Sequence, residues 1–559
     1  MRIRNARLLG AAMLVVLAAT VAVAGTFKTS EDAQMVGLNG WTTDPVFTVG
    51  ETAFNYTPIG ILDGLGAFKY KSRVRVYVNH EVSPNLGYAY TLLDSLNNPF
   101  DVKGARVSYV DFDRKTRKIC GMGQAYDRVY DRTGSVANDP TDINELAAGD
   151  PGADTNGLNR LCSAQDLHRG KYGFVDDIFL TNEETSVAYG HPHGGSYWAL
   201  DVRNGNLWAA PELGRGTWES ASAVDLGKYN SRYVGLLLGD DFQAAPLYLY
   251  IGKKIPGGNF LERNGLANGQ LFVWVAMDGS RNPEDWNGTC SKRRGAFVAI
   301  DARDPANAGN PGYDAFGYKD DTTLRAEATG NAPAGLQAFA FSRPEDLAIN
   351  PKNGKQIVMA STGRPALFPS DSWGTTYIID VQISKIDARL SRSNLSATLT
   401  ILYDGDDAGG GTFTGPDYGL RSPDNIEWAR DGYIYVNEDR SIGDFGQTSG
   451  EEASIWQLNP KKCGWGKRIA QIDRLAALPG GQTDGDPSDI GDWESSGVLD
   501  VTKFFKTKKG ETLLIADVQA HSVRDGTIAS LDLVQGGQLF FLSHQSAKKS
   551  KSHCDDDDR

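Results

Sequence analysis

The chain has few of the residues on which most enzymes build a site. Of 559 residues only seven are His, six Met and five Cys. There is no G-x-S-x-G elbow, no HExxH and no P-loop, and no GxGxxG opens a helix after a strand. That excludes the common serine-hydrolase, zincin, nucleotide-triphosphatase and dinucleotide-binding signatures. No CxxC occurs among Cys120, Cys162, Cys290, Cys463 and Cys554, which argues against a structural zinc knot; five is also odd, so one thiol is left over if the rest pair. Basic residues are in the minority, with a formal net charge of −13, and such a surface argues against nucleic acid as a partner. Beyond the first 24 residues no apolar run is long enough to span a membrane, and no helix-period stretch dominates.

The N-terminus has the form of a secretion signal. Arg2, Arg4 and Arg7 precede an apolar stretch from Leu8 to Ala22, and Ala22-Val23-Ala24 is a small-x-small cleavage site before Gly25. The arginines are not adjacent, so this is a general rather than a twin-arginine signal. No Cys follows to carry a lipid. The expectation is an exported protein, periplasmic or extracellular, with residues 1–24 removed, no membrane anchor after cleavage, and a monomeric state. Residues 548–559 (KKSKSHCDDDDR) read as a flexible acidic tail.

What the chain does have is strands that end in acid. The runs VRVYVNHE (Val74–Glu81), DIFLTNEE (Asp177–Glu184), VGLLLGDD (Val234–Asp241) and YIYVNED (Tyr433–Asp439) are β-rich and finish in carboxylates or amides, and TLLIADV (Thr512–Val518) is a weaker fifth. With 64 Gly, 11 Trp and 22 Tyr, the composition favours an all-β architecture. Two segments repeat one unit. Leu347–Ile349 passes through an NG turn into Gln356–Ala360 and then Tyr377–Val381; Ile426–Trp428 passes through a DG turn into Tyr433–Val436 and then Ser454–Leu458. Such repeats predict a β-propeller, six-bladed, filling residues 25–547 as one domain, with long insertions at 127–160, 252–271 and 404–419. A pair of β-sandwiches with long loops is the alternative.

In a propeller the inner strand ends face a central channel. Glu81, Glu183, Glu184, Glu219, Asp240, Asp241, Glu345, Asp424, Glu438 and Asp439 all fall at strand ends or tight turns. Taken singly, each is explained as a solvated end or a cap. Converging on one channel, they repel unless a cation sits among them, and Ca2+ takes six to eight such oxygens. Two copies of one corner, Ser342-Arg343-Pro344-Glu345-Asp346 and Arg421-Ser422-Pro423-Asp424-Asn425, set an arginine beside the carboxylates, where a guanidinium can grip a phosphate at two points. His191 and His193, in GHPHGG, read as a tight turn rather than as ligands.

Together these residues resemble the PhoX family of exported alkaline phosphatases, from Gly60 to Phe541. The likeness rests on NHE (Asn79–Glu81), Cys162 followed by LTNEE (Leu180–Glu184), GHPHG (Gly190–Gly194), LGRGTWESAS (Leu213–Ser222), LLLGDD (Leu236–Asp241), SRPEDL (Ser342–Leu347), and SPDNIEW with YVNED (Ser422–Trp428, Tyr435–Asp439). The resemblance implies a β-propeller phosphomonoesterase with two Fe3+ and several Ca2+ ions, acting on small phosphate esters through a metal-bound oxygen nucleophile. Carried over motif by motif, Cys162 is the thiolate ligand to iron, Glu219 and Glu345 are carboxylate ligands to iron, and Arg343 holds the substrate phosphate. Asn79, Glu81, Glu183, Glu184, Asp240, Asp241, Asp424 and Asn425 are then the calcium ligands. The resemblance also gives the odd cysteine a role and leaves four to pair. The chain departs from the family in having Ser163-Ala164-Gln165-Asp166 after the cysteine instead of a glycine-rich stretch, Trp218 where a histidine usually precedes the glutamate, and no twin-arginine signal. Two other functions fit the same residues: a different metal-dependent hydrolase, such as a phosphodiesterase or lactonase, and a non-catalytic calcium-binding propeller.

Overall fold

A computed structural model describes residues 25–143 and 157–546; the expected signal at 1–24 and tail at 548–559 lie outside the described residues. Strands dominate, and the longest helix among the described residues, Asp321–Thr329, has nine residues. The strands form a propeller-like arrangement of sheets that are antiparallel except where Asn206–Ala209 pairs parallel with Arg128–Tyr130. Its inner wall consists of β1 (Leu62–Tyr70), β2 (Leu161–Leu167), β3 (Trp218–Val224), β4 (Pro344–Ile349), β5 (Pro423–Trp428) and β6 (Glu494–Asp500). Each packs beside the next and β6 packs beside β1, so these strands close a ring around an axis. A closed ring of this kind excludes the pair of sandwiches.

Outward from β1, β2, β5 and β6 run four sheets of four or five strands. β3 and β4 are the two ends of one nine-stranded sheet, joined where Lys292–Ile300 pairs with Asn394–Asp404 at its middle. The repeated hairpins expected from the sequence are present. β4 pairs with Gln356–Ser361 and that strand with Thr375–Lys385; β5 pairs with Ile434–Glu438 and that strand with Ser454–Leu458. The ring is closed by chain ends distant in sequence. Trp41–Thr48 is the outer partner of Gly536–Gln545, and Met35–Gly37 adds to the sheet of β5. Trp41–Thr48 is an edge strand, so Pro45, which has no N–H to donate, sits beside a bulge between Pro45 and Phe47 at little cost.

The core lies between sheets. Trp274, Trp286, Phe339, Phe341 and Tyr377 stack edge-to-face and tilted at centroid separations of 4.7–6.3 Å within the nine-stranded sheet's layer. The expected insertion at 252–271 connects two neighbouring strands of the nine-stranded sheet, Tyr248–Lys253 and Gly269–Ala276. Residues 252–271 contain the helix Phe260–Asn264, which opens with a capping box between Asn259 and Glu262.

Candidate metal centre at the axis

The inner strands carry their functional side chains at one repeated place. The first residue of each inner strand pairs with the last residue or so of its hairpin partner: Leu62 with His80, Leu161 with Glu183, Trp218 with Asp240, Pro423 with Glu438 and Glu494 with Gln519. Immediately afterwards the register slips, at Leu62/Leu65, Leu161/Ala164, Trp218/Ser220, Pro344/Leu347, Pro423/Ile426 and Ser496/Val498. A bulge adds one residue, bends the strand and re-aims the side chain on it. Asp63, Cys162, Glu219, Glu345 and Asp424 are each the second residue of their strand, at or beside these bulges.

The asparagines of NHE, NEE and NED hold the ring together. Asn79 Nδ2 donates to the carbonyls of Cys162 and Ser163, Asn182 Nδ2 to those of Trp218 and Glu219, and Asn437 Nδ2 to that of Gly497. Each amide thus satisfies bulge carbonyls on the next inner strand, which the irregular register leaves without a ladder partner. In LLLGDD the equivalent position is Gly239, where a Cβ would lie 2.2 Å from the Glu345 carbonyl oxygen; only glycine lets that bulge approach.

The side chains so placed form three overlapping trios: Asp63, Glu81 and Cys162; Cys162, Glu184 and Glu219; Glu219, Glu345 and Asp424. Within each trio the ligand atoms lie within 4.8 Å of one another. Cys162 and Glu219 are each shared by two trios, so the three candidate positions are contiguous. Cys162 Sγ is 3.3 Å from Asp63 Oδ2 and 3.2 Å from Glu219 Oε1.

Unit charges about 4 Å apart at an effective dielectric of about 20 interact by about 4 kcal/mol. Several anions here cannot all be ionised unless cations stand among them. Burial first, then the neighbouring acids, push the groups well above their ordinary ranges. This holds for Asp63 with Glu81 beside it, for Cys162 with Asp63 and Glu219, for Glu219 with Asp424 and Glu345, and for Glu345 with Asp241. Asp424 is raised by burial and then by Glu494 and Asp439. The residues present fit metal ions by an independent sign. Asp424 Oδ1, both carboxylate oxygens of Asp517, and the amide oxygens of Asn79, Asn182, Asn437 and Gln519 are buried with no hydrogen-bond partner. Unmet buried oxygens among buried acids are a donor set that suits an oxygen-seeking cation, and the single thiol among them adds affinity for a softer metal.

Two guanidinium groups stand at the mouth. Arg343 holds Asp241 through two bonds of 2.7 Å and lies 3.4 Å from Glu345. Arg160 bridges Glu81 at 2.6 Å and Glu184 at 2.5 Å, with its side chain 44% exposed. Arg421, the counterpart of Arg343 in sequence, is instead sealed in the interior. Its guanidinium binds both oxygens of Glu438, reaches Asp417 at 3.1 Å and stacks on Phe445.

The structure therefore brings Glu81, Cys162, Glu184, Glu219, Glu345 and Asp424 into the trios, with Asp241 and Arg343 beside them. It gives the other expected ligands different partners. Asp240 pairs with Arg325 at 2.9 and 3.1 Å. Glu183 accepts from the backbone N–H of Asn159 and of Ser196. Asn425 Oδ1 accepts from Ser496 and from the Gly497 N–H, while Asn79 spends its Nδ2 on the clamp described above and keeps its buried Oδ1 without a hydrogen-bond partner. Trp218, where a histidine was expected from the resemblance, points to the opposite face from Glu219; it packs edge-on to Tyr248 and its Nε1 donates to the Gly214 carbonyl. His191 accepts the backbone N–H groups of His193 and Gly194, as a tight turn requires. Sequence reading missed Asp63, Arg160, Glu494 and Asp517. Asp63 had a signal: it opens the strand whose hairpin partner ends in NHE, as Cys162 opens the one that ends in NEE.

No family model matches the sequence. No curated protein matches it either. Among solved structures, Pseudomonas fluorescens PhoX in complex with vanadate, a transition state analogue, covers 93% of this chain and 97% of its own, with a TM-score of 0.58 and 15% identity. The α-L-arabinofuranosidase PaAbf62A from Podospora anserina covers 91% of this chain and 97% of its own at a TM-score of 0.29 and 9% identity. A GH43_1 enzyme from Xanthomonas citri covers 78% of this chain and 90% of its own at 0.26 and 9%. The first similarity establishes a PhoX-like fold; the other two are too distant to carry an argument.

Proposed function

We propose that this protein is an exported, monomeric, metal-dependent phosphomonoesterase that releases phosphate from small organic esters, with no nucleic-acid partner. The observation that carries the reading is the run of contiguous trios through Cys162 and Glu219 with Arg343 and Arg160 at its mouth. We read residues 25–547 as one domain and the nine-stranded sheet as two blades joined at their outer strands, which makes six.

In this reading Asp63, Glu81, Cys162, Glu184, Glu219, Glu345 and Asp424 hold Ca2+ and Fe3+, the iron beside the thiolate. Bound cations supply Lewis acidity and neutralise charge on the phosphoryl oxygens. Arg343 grips the phosphoryl group and Arg160, between Glu81 and Glu184, adds a second positive charge. Both arginines are held in place by carboxylates, so little reorganisation is needed when charge develops on the ester. The burial of Cys162, Glu219 and Glu345 keeps bulk water from screening these interactions.

The test is elemental analysis of the purified protein with a phosphomonoester assay, before and after chelation and in Cys162→Ala. Activity that both treatments leave unchanged rules the proposal out. The two-point Arg343–Asp241 bond favours one other reading, a calcium-stabilised propeller without catalysis, since it already occupies one of the two guanidinium edges that can grip a phosphate. Bound calcium without hydrolysis of monoesters, diesters or lactones would select that reading.

A further inference from the structure

Cys290 and Cys463 are 173 positions apart in the sequence but are neighbours in the fold. Cys290 is exposed, Cys463 is partly exposed, and the Cys290 side chain lies within interaction range of the Cys463 thiol. The turns that carry them are pinned to consecutive residues of one strand. The Cys290 N–H donates to the Ile401 carbonyl at 2.9 Å, and the N–H of Gly464, next to Cys463, donates to the Leu402 carbonyl at 2.8 Å. The turn before Cys290 is fixed further by Thr289, whose N–H and hydroxyl both donate to Asp407. Behind Cys463, Gly464 lies so close to Gly409 that a Cβ would meet its carbonyl oxygen at 2.0 Å. The approach of the two thiols is therefore set by the backbone on both sides.

The other two cysteines among the described residues are placed elsewhere. Cys162 is in the axial centre, and the buried Cys120 thiol donates to the Asp111 carbonyl in the sheet of β1. We infer that Cys290 and Cys463 form a disulfide that clasps the nine-stranded sheet, which carries Glu345, to the sheet of β5, which carries Asp424, while Cys162 stays a thiol. The basic-then-apolar N-terminus predicts export to a compartment where such bonds persist. The oxidant is a low-molecular-weight disulfide or a dithiol oxidase of the same chemistry. The exposed Cys290 thiolate attacks one sulfur of the oxidant and displaces a thiolate. Cys463 then gives up its proton and attacks Cys290 Sγ in the mixed disulfide, displacing the second thiolate. Two electrons pass from the cysteines to the oxidant, and their two protons pass to its two released thiols.

The inference is tested on the full chain incubated with excess glutathione disulfide, denatured in N-ethylmaleimide and digested without reduction. The expected result is a peptide pair joined through Cys290 and Cys463, separated by dithiothreitol, with Cys162 alkylated throughout. Alkylation of both Cys290 and Cys463, or linkage of either to Cys120 or Cys554, overturns it. Thermal denaturation gives a second readout. The clasp closes a long loop, so reduction should lower the Tm of the wild type by about 5 °C. Cys290→Ser, Cys463→Ser and the double variant should each melt at that lower value and be indifferent to reductant. Single variants whose losses add in the double, or a wild type unmoved by reductant, would also overturn it.

Discussion

Arg343 and Asp241 meet edge to edge, Nε to Oδ1 and Nη2 to Oδ2, each at 2.7 Å. Asp241 is buried, yet Arg343 beside it more than offsets that burial and holds its carboxyl below the ordinary range. This arginine is thus fixed beside the axial centre by the residue that follows the second strand of a neighbouring hairpin. Arg343→Lys retains the charge but loses the two-point geometry. It is expected to lower kcat/KM for a phosphomonoester by about 10²-fold while leaving the Tm within a few degrees, the loss falling mainly on the transition state.

Arg421 gives the opposite expectation. Its side chain is fully buried between Glu438 and Asp417. Arg421→Ala strands two acids in the interior and should cost about 3–5 kcal/mol by denaturant unfolding. Two arginines in matching sequence corners should therefore separate cleanly, one in kinetics and one in stability.

Removing the metal should make stability fall with pH. Asp63, Glu219, Glu345, Asp424, Glu494 and Asp517 are all pushed well above their ordinary values, first by burial. A carboxyl raised in the folded state favours folding at a pH below its unfolded value near 4, and that contribution is lost as pH rises through the folded value. The chelated protein should then lose Tm steadily as pH rises above about 4, and added Ca2+ should restore it. A Tm–pH curve that chelation does not alter would count against a metal centre.

His168 sets a second pH dependence at the opposite end of the inner strands from the acidic trios, in a pocket it shares with Asp166, Ala223, Ile349, Glu427 and Asp500. Burial opposes its charge, but Asp166, 3.1 Å from Nε2, together with Asp177, wins and raises it to about 9; Lys503 on the same side opposes. The stabilisation is complete below about pH 6.5 and is lost as pH rises through about 9. His168→Gln should remove roughly 1–2 kcal/mol of stability at pH 6 and much less at pH 9.5, read as the difference in urea midpoints.

The asparagine clamps are testable without activity. Asn182→Ala orphans the Trp218 and Glu219 bulge carbonyls and should cost about 1–3 kcal/mol. It should also weaken metal retention, because the same bulge aims Glu219.

The sequence by itself determined the all-β character, the repeated hairpins and the acid-ended strands, because turn chemistry and period-two patterning are local. NHE, NEE and NED were legible as one recurring unit, and so were the two arginine corners. Only the tertiary structure divided the roles within those units. In NEE, Glu184 enters a trio while Glu183, one residue earlier, accepts backbone N–H groups, because consecutive side chains of a strand face opposite ways. In GDD the same alternation sends Asp240 to Arg325 and Asp241 to Arg343. Asp63 is marked only by its place opposite NHE and Arg160 by no motif at all; the packing of β1 beside β2 brings Asp63 beside Cys162, and Arg160 between Glu81 and Glu184, across gaps that no local pattern encodes. The burial that raises the acids, and so calls for cations, arises only when the inner strands converge on one axis.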